Sequence, residues 1–146
     1  MSDLPPMVWL TADFAAAPQP GPEAMAALAA AGVRTVICNR PDAEVPPGER
    51  AADMEAAARA AGLDFAVVEV THAGLAPETI EAQRRALAEL PGPHFGYCRA
   101  GFRSSVVWAL ASAGARDTDE IMQALARAGF AMPGLKTQIE AMARAR

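Results

Sequence analysis

The chain is poor in the residues that build disulfide frameworks and metal centres. Among its 146 residues are two cysteines, Cys38 and Cys98, and two histidines, His72 and His94. The cysteines lack CxxC spacing and the histidines supply too few partners for a metal, so neither a disulfide scaffold nor a zinc site is expected. No cofactor is implied. Basic charge is not in excess either: 13 Lys and Arg stand against 17 Asp and Glu, a net charge of -4. A protein that binds nucleic acid non-specifically needs a basic face to replace phosphate counterions, which excludes that class and confines any anion site to a local feature. No apolar run approaches membrane-spanning length, and Met1-Ser2-Asp3-Leu4-Pro5-Pro6 lacks the basic and apolar regions of a secretory signal. The expectation is a cytoplasmic protein that binds neither membrane nor nucleic acid.

What is present is a chain 52% hydrophobic and rich in alanine, enough to bury a core and of a length that reads as a single domain, residues 1–146. Four short runs carry most of the β-branched and aromatic residues: Met7–Leu10, Val33–Cys38, Phe65–Val70 and His94–Cys98. Bounded by turn residues, they read as strands. Pro22–Ala31, Glu49–Ala61 and Pro77–Leu90 have apolar residues at helical spacing, and Gly32 and Gly62 stand where a C-terminal cap glycine belongs. After Cys98 the pattern is wholly helical, near Arg103–Ala113, Asp117–Ala128 and Leu135–Arg144. Strands alternating with helices through short connections predict an α/β fold: a four-stranded, mostly parallel sheet flanked by helices, with a helical C-terminal part.

In such a sheet, ligands bind beyond the carboxyl ends of the strands, and "GYCRAGFRSSVVWAL" puts Cys98 at that place. Tight curvature through Ala100, Gly101 and Phe102 would turn several N–H groups inward, and the next helix adds the positive end of its dipole. Such a nest holds an anion and favours thiolate over thiol. Arg103 offers a planar fork for oxyanions, Arg99 adds charge at the rim, and Ser104 could donate a hydrogen bond to the cysteine sulfur or a leaving group. Against this stands the plainer reading of a small buried cysteine at a strand end. The strand-to-loop-to-helix placement of Cys-x-x-Gly-x-Arg-Ser favours the nucleophile.

Together with "VRTVICNRPDAE", this stretch resembles the phosphatase-like domain of the beta-lactamase-hydrolase-like family, from about Trp9 to Ala113. The resemblance implies a fold like that of dual-specificity protein phosphatases, with Cys98 as nucleophile, Gly101 as loop glycine and Arg103 as anion-binding arginine. It aligns Asn39-Arg40-Pro41-Asp42 with a second signature, whose loop would open onto the same sheet edge. Arg40 would then face the anion and Asp42 and Glu44 orient it; the alternative is a structural Arg–Asp pair bracing the loop. Relatives of this type are fused to a metal-dependent hydrolase-like domain whose histidine-rich ligands are absent from this sequence. The family pattern commonly has asparagine where Cys38 stands. Cys38 is either a buried strand-end residue, the favoured reading, or a resolving thiol for Cys98.

Two departures from the cysteine phosphatases concern the transferred group. Those enzymes resemble one another in placing five residues between cysteine and arginine, whereas only Arg99, Ala100, Gly101 and Phe102 intervene, as in the sulfur-carrying loop of rhodaneses. Their general acid is an aspartate in the loop after the preceding strand. The matching stretch, Val70-Thr71-His72-Ala73-Gly74, has no carboxylate, leaving His72 as a candidate acid or a plain loop residue. Sulfur transfer through a Cys98 persulfide is therefore favoured, with a small anionic donor such as thiosulfate and a thiol acceptor. Phosphate-ester hydrolysis through a phosphocysteine is the alternative, and a non-catalytic anion-binding module the third reading.

Overall fold

Five strands form one sheet: β1 (Val8–Thr11), β2 (Phe14–Ala17), β3 (Thr35–Cys38), β4 (Asp64–Val67) and β5 (His94–Tyr97), in the order β1-β2-β5-β3-β4. β1 pairs antiparallel with β2, and all other pairings are parallel. The computed structural model describes residues 4–146; Met1, Ser2 and Asp3, part of the segment weighed above as a leader, lie outside the described residues. The expected α/β architecture is present with one strand more than the four read from the sequence. The extra strand is β2, whose Phe-Ala-Ala-Ala is buried at every position. A run buried on both faces does not alternate, and alanine carries little strand preference, so neither usual signal marks it. Boundaries shift as well: the first strand runs Val8–Thr11, and the strand expected over Phe65–Val70 is β4, which ends at Val67, three residues before the expected Val70.

The helices are α1 (Met25–Ala30), entered through a 3₁₀ turn at Pro22–Ala24, α2 (Ala51–Ala60), α3 (Pro77–Glu89), α4 (Phe102–Ala111), α5 (Thr118–Arg127) and α6 (Leu135–Arg144). Strand residues alternate between two cores. On one face Ala15, Ala17, Val36, Cys38, Phe95 and Tyr97 meet Met25 and Leu28 of α1 and Met54 and Ala58 of α2. On the other, Phe14 and Ala16 meet Trp108 and Leu110 of α4, with Ile121 and Leu125 of α5 and Ile139 of α6 behind them. α4 is apolar nearly all round and buried from Arg103 through Ala111 except Val106, as expected of a central helix enclosed by neighbours. The phenyl ring of Phe14 stacks on Trp108 at 5.9 Å. Gly96 makes room for that stack: a Cβ there would come 2.8 Å from Phe14 Cζ. No described helix is long and apolar enough to cross a membrane.

Because β2, β3, β4 and β5 run parallel, their C-terminal ends gather at one edge. The loops after Ala17, Cys38, Val67 and Tyr97 meet there, which fixes where the chemistry-bearing residues lie.

Candidate active site

Cys98 follows the last residue of β5 and is 1% exposed, at the base of a turn that enters α4. The turn hangs on the exit of β2: Cys98 N–H donates to Ala17 O at 3.2 Å, Gln19 N–H donates to Arg99 O at 3.3 Å, and Pro18 bridges to Ala100. Gly101 has φ +92°, a left-handed conformation, and a Cβ there would lie 3.3 Å from the Ala17 backbone. Both the conformation and the close approach call for glycine. The turn brings Gly101 N–H to the sulfur, donating to Cys98 Sγ at 3.1 Å. Ser105 closes the first turn of α4 by donating to Gly101 O at 2.9 Å.

The guanidinium of Arg103 is 8% exposed and is held by three hydrogen bonds. Nη1 donates to Glu44 Oε2 at 2.9 Å and to Val70 O at 2.7 Å, and Nη2 donates to Glu44 Oε1 at 2.8 Å. Glu44 thus takes the Nη1/Nη2 edge in a two-toothed pair, leaving Nε and one Nη2 hydrogen for another acceptor. The Glu44 pair raises the Arg103 pKa above its ordinary value, with a smaller contribution from the nearby Cys98 sulfur. In return the Arg103 hydrogen bond holds the Glu44 carboxyl below the usual carboxylate range. His72 Nε2 lies 3.9 Å from Glu44 Oε2.

Several residues take places other than those expected from sequence. Ser104 does not face the sulfur: its hydroxyl is fully buried and donates to Asn39 Oδ1 at 2.8 Å, because its position on α4 turns it toward the end of β3. Asn39 is fully buried and ties three segments together, its Nδ2 donating to Val68 O at 2.8 Å and Gln83 Oε1 at 3.1 Å. The sequence marks it only as part of a signature; a polar residue closing an apolar strand was the available clue. Asp42 is drawn to the start of α2, where Oδ1 accepts from Ala51 N–H at 2.8 Å. Arg40 braces its own loop, donating to Glu44 O at 3.0 Å and Gln19 Oε1 at 3.2 Å, with Nε 3.5 Å from Glu44 Oε1. The bracing partner is therefore Glu44 rather than the expected Asp42. Cys38 lies in the core beside Tyr97 with its thiol donating to Arg40 O at 3.3 Å, and burial raises its pKa.

A cleft of about 400 Å³ opens over Cys98, lined by Val70, Thr71, His72, Gly74, Arg99, Ala100, Phe102 and Arg103 and walled by Leu75, Val106, Leu110 and Gln138. Of the ten residues proposed from sequence, Cys98, Arg99, Ala100, Phe102, Arg103 and His72 line it; Gly101, Ser104, Arg40 and Asp42 do not. No Asp or Glu is among the lining residues. Among the described residues no group of three or more His, Cys, Asp or Glu is arranged to hold a metal ion.

A cysteine at the end of a parallel strand, under backbone donors and beside an arginine on the next helix, defines a cysteine-phosphatase-like domain. The family model for the beta-lactamase hydrolase-like protein, phosphatase-like domain, matches residues 6–115, and the chain belongs to that family. It is 35% identical over 130 residues to a beta-lactamase hydrolase-like protein of Xylella fastidiosa (strain 9a5c), covering 86% of this chain and 30% of that protein. The chain thus spans under a third of that relative's length. Among solved structures it is similar to a "putative phosphatase" from Neisseria meningitidis Z2491, with 26% identity, TM-score 0.76 and coverage of 92% of this chain and 96% of that one. The core catalytic domain of the PP-IP phosphatase SIW14 from S. cerevisiae shares the fold at 14% identity, TM-score 0.64, over 96% of this chain and 87% of that one.

Proposed function

We propose that this domain transfers sulfur through a persulfide on Cys98. The observation that carries the reading is the absence of a free carboxylic acid at the cleft: no Asp or Glu lines it, and the neighbouring Glu44 is held ionised by Arg103. Expelling an alkoxide or phenolate from phosphorus needs a proton donor, whereas sulfite leaves from thiosulfate without one. Cys98 thiolate attacks the outer sulfur of a donor such as thiosulfate; the new S–S bond forms as the old one breaks, and sulfite departs with its electron pair. Donor and nucleophile are both anionic, so the loop N–H groups, Arg99 and the free edge of Arg103 must offset their repulsion. An acceptor thiol then bonds to the persulfide's outer sulfur, its proton passing to the product persulfide as Cys98 leaves as thiolate.

The second reading is phosphate-ester hydrolysis through a phosphocysteine, and the relatives favour it: the family model and the solved neighbours carry phosphatase descriptions and fit hydrolysis better than sulfur transfer. In that case His72, exposed at the cleft, is the proton donor. Thiosulfate and an aryl phosphate offered in parallel to the wild type and Cys98→Ser separate the two. Mass spectrometry is expected to find a persulfide on Cys98, absent in the variant, with no phosphate release. Rapid Cys98-dependent phosphate release without sulfur uptake overturns sulfur transfer in favour of hydrolysis.

A further inference from the structure

An inorganic oxyanion fills only the floor of the cleft over Cys98. The whole cleft, about 400 Å³, is of the size that takes a small organic ligand. Its walls are unlike its floor. Leu75 comes from the loop before α3, Val106 and Leu110 from one face of α4, and Gln138 is the polar group that α6 contributes. Phe102, within the nucleophile loop itself, is 50% exposed and meets Phe130 edge-on at 6.3 Å. Single exposed apolar residues need no explanation. An aromatic ring braced at the lip of the nucleophile loop, with the partly exposed aliphatic side chains of Leu75 and Val106 in the same cleft, is a different case. Arg99 lines the same mouth and makes no ion pair among the described residues.

We infer that the organic reactant of this site, the sulfur acceptor in the reading above, is a thiol with an apolar body that lies along Leu75, Phe102 and Val106, its reacting atom over Cys98. This rests on Cys98 being the reacting group. A compact, polar thiol would leave that wall wet, whereas each methylene laid against it gains up to about fourfold in binding. Arg99 suits a carboxylate or similar anionic group elsewhere on the same molecule.

The test is alkylation of Cys98 by iodoacetamides whose N-alkyl group lengthens from methyl to propyl to hexyl, read by mass spectrometry so that Cys98 and Cys38 are counted separately. Below saturation, the second-order rate on Cys98 is expected to rise by about two- to fourfold per methylene. That slope is expected to flatten in Phe102→Ala and persist in Val67→Ser, which alters an exposed apolar residue on β4, outside the cleft. Equal rates across the series overturn the apolar-body assignment while leaving Cys98 a reactive thiol. A slope that persists in Phe102→Ala overturns the part given to Phe102. No labelling of Cys98 by any reagent overturns this inference and the group-transfer reading together.

Discussion

Replacing Glu44 with glutamine tests whether that carboxylate positions Arg103 or competes with the substrate for it. Glu44 takes the Nη1/Nη2 edge of the guanidinium, and Val70 O takes a second Nη1 hydrogen. The edge carrying Nε is left for an oxyanion over Cys98, so the pair fixes the fork without occupying the face that binds. In Glu44→Gln the new side chain would keep one acceptor, lose the charge and turn an NH₂ donor toward a cation. Exposed pairs are worth about 0–1 kcal/mol, and breaking a fully buried pair costs about 3–5 kcal/mol. With Arg103 8% and Glu44 24% exposed, the expected loss of stability lies between, at about 2 kcal/mol. For a chain of this size that lowers Tm by about 6 °C.

The functional effect follows the same geometry. A guanidinium free to swing binds an oxyanion less well, and a loss of about 1.4 kcal/mol is tenfold in affinity. Sulfate and thiosulfate protection of Cys98 against alkylation gives that affinity directly. Stronger protection in Glu44→Gln would refute the positioning role, since it would mean that the carboxylate had been competing for the anion. The pH dependence has a definite sign. Glu44 is depressed in the folded state, so its contribution is present above the ordinary carboxylate range and lost as pH falls through its folded value. The stability gap between wild type and variant should therefore close below about pH 4.

Other outcomes follow from single contacts. Gly101→Ala forces a side chain into φ +92° and against the Ala17 backbone, and should cost about 1–3 kcal/mol in denaturant unfolding while slowing Cys98 alkylation. Cys38, buried and with its thiol pKa raised, should be alkylated far more slowly than Cys98 at pH 7. Mild peroxide should oxidise Cys98 without a Cys38–Cys98 bridge, since Cys38 lies in the core against Arg40 O; finding that bridge by peptide mapping refutes this placement. His72→Gln should lower any aryl phosphate turnover by about 10²-fold if the imidazole is the acid, and change sulfur uptake by less than about threefold.

How much of this was legible in advance depended on whether a constraint was local. The Cys98 turn was readable because its needs fall on adjacent residues: a strand end, a glycine at a left-handed position and a helix start. Most helix limits were readable for the same reason, α6 to the residue. β2 was not, because nothing within Phe14–Ala17 says that both its faces are covered; its neighbours β1 and β5 say so. Ser104 was misplaced because its partner, Asn39, is 65 positions away, and Asp42 because the helix start it caps lies nine residues on. The Arg103–Glu44 pair joins residues 59 apart, so the sequence offers both members without the link between them.

That link bears on which group Cys98 carries. Arg103 has a fixed number of hydrogens, and three go to Glu44 and Val70 before any substrate arrives. The two that remain match one edge of an oxyanion; the other substrate oxygens fall to the N–H groups of a turn with four residues between cysteine and arginine. A phosphoryl group presents three such oxygens throughout its transfer and still needs an acid for its leaving group. Thiosulfate presents its oxygens only until sulfite departs, after which the cradle holds one sulfur atom. The donor supply of this loop and the absence of a free carboxylic acid in the cleft are independent features, set by different segments of the chain. The proposed sulfur transfer rests on these two features, within a fold whose relatives carry phosphatase descriptions.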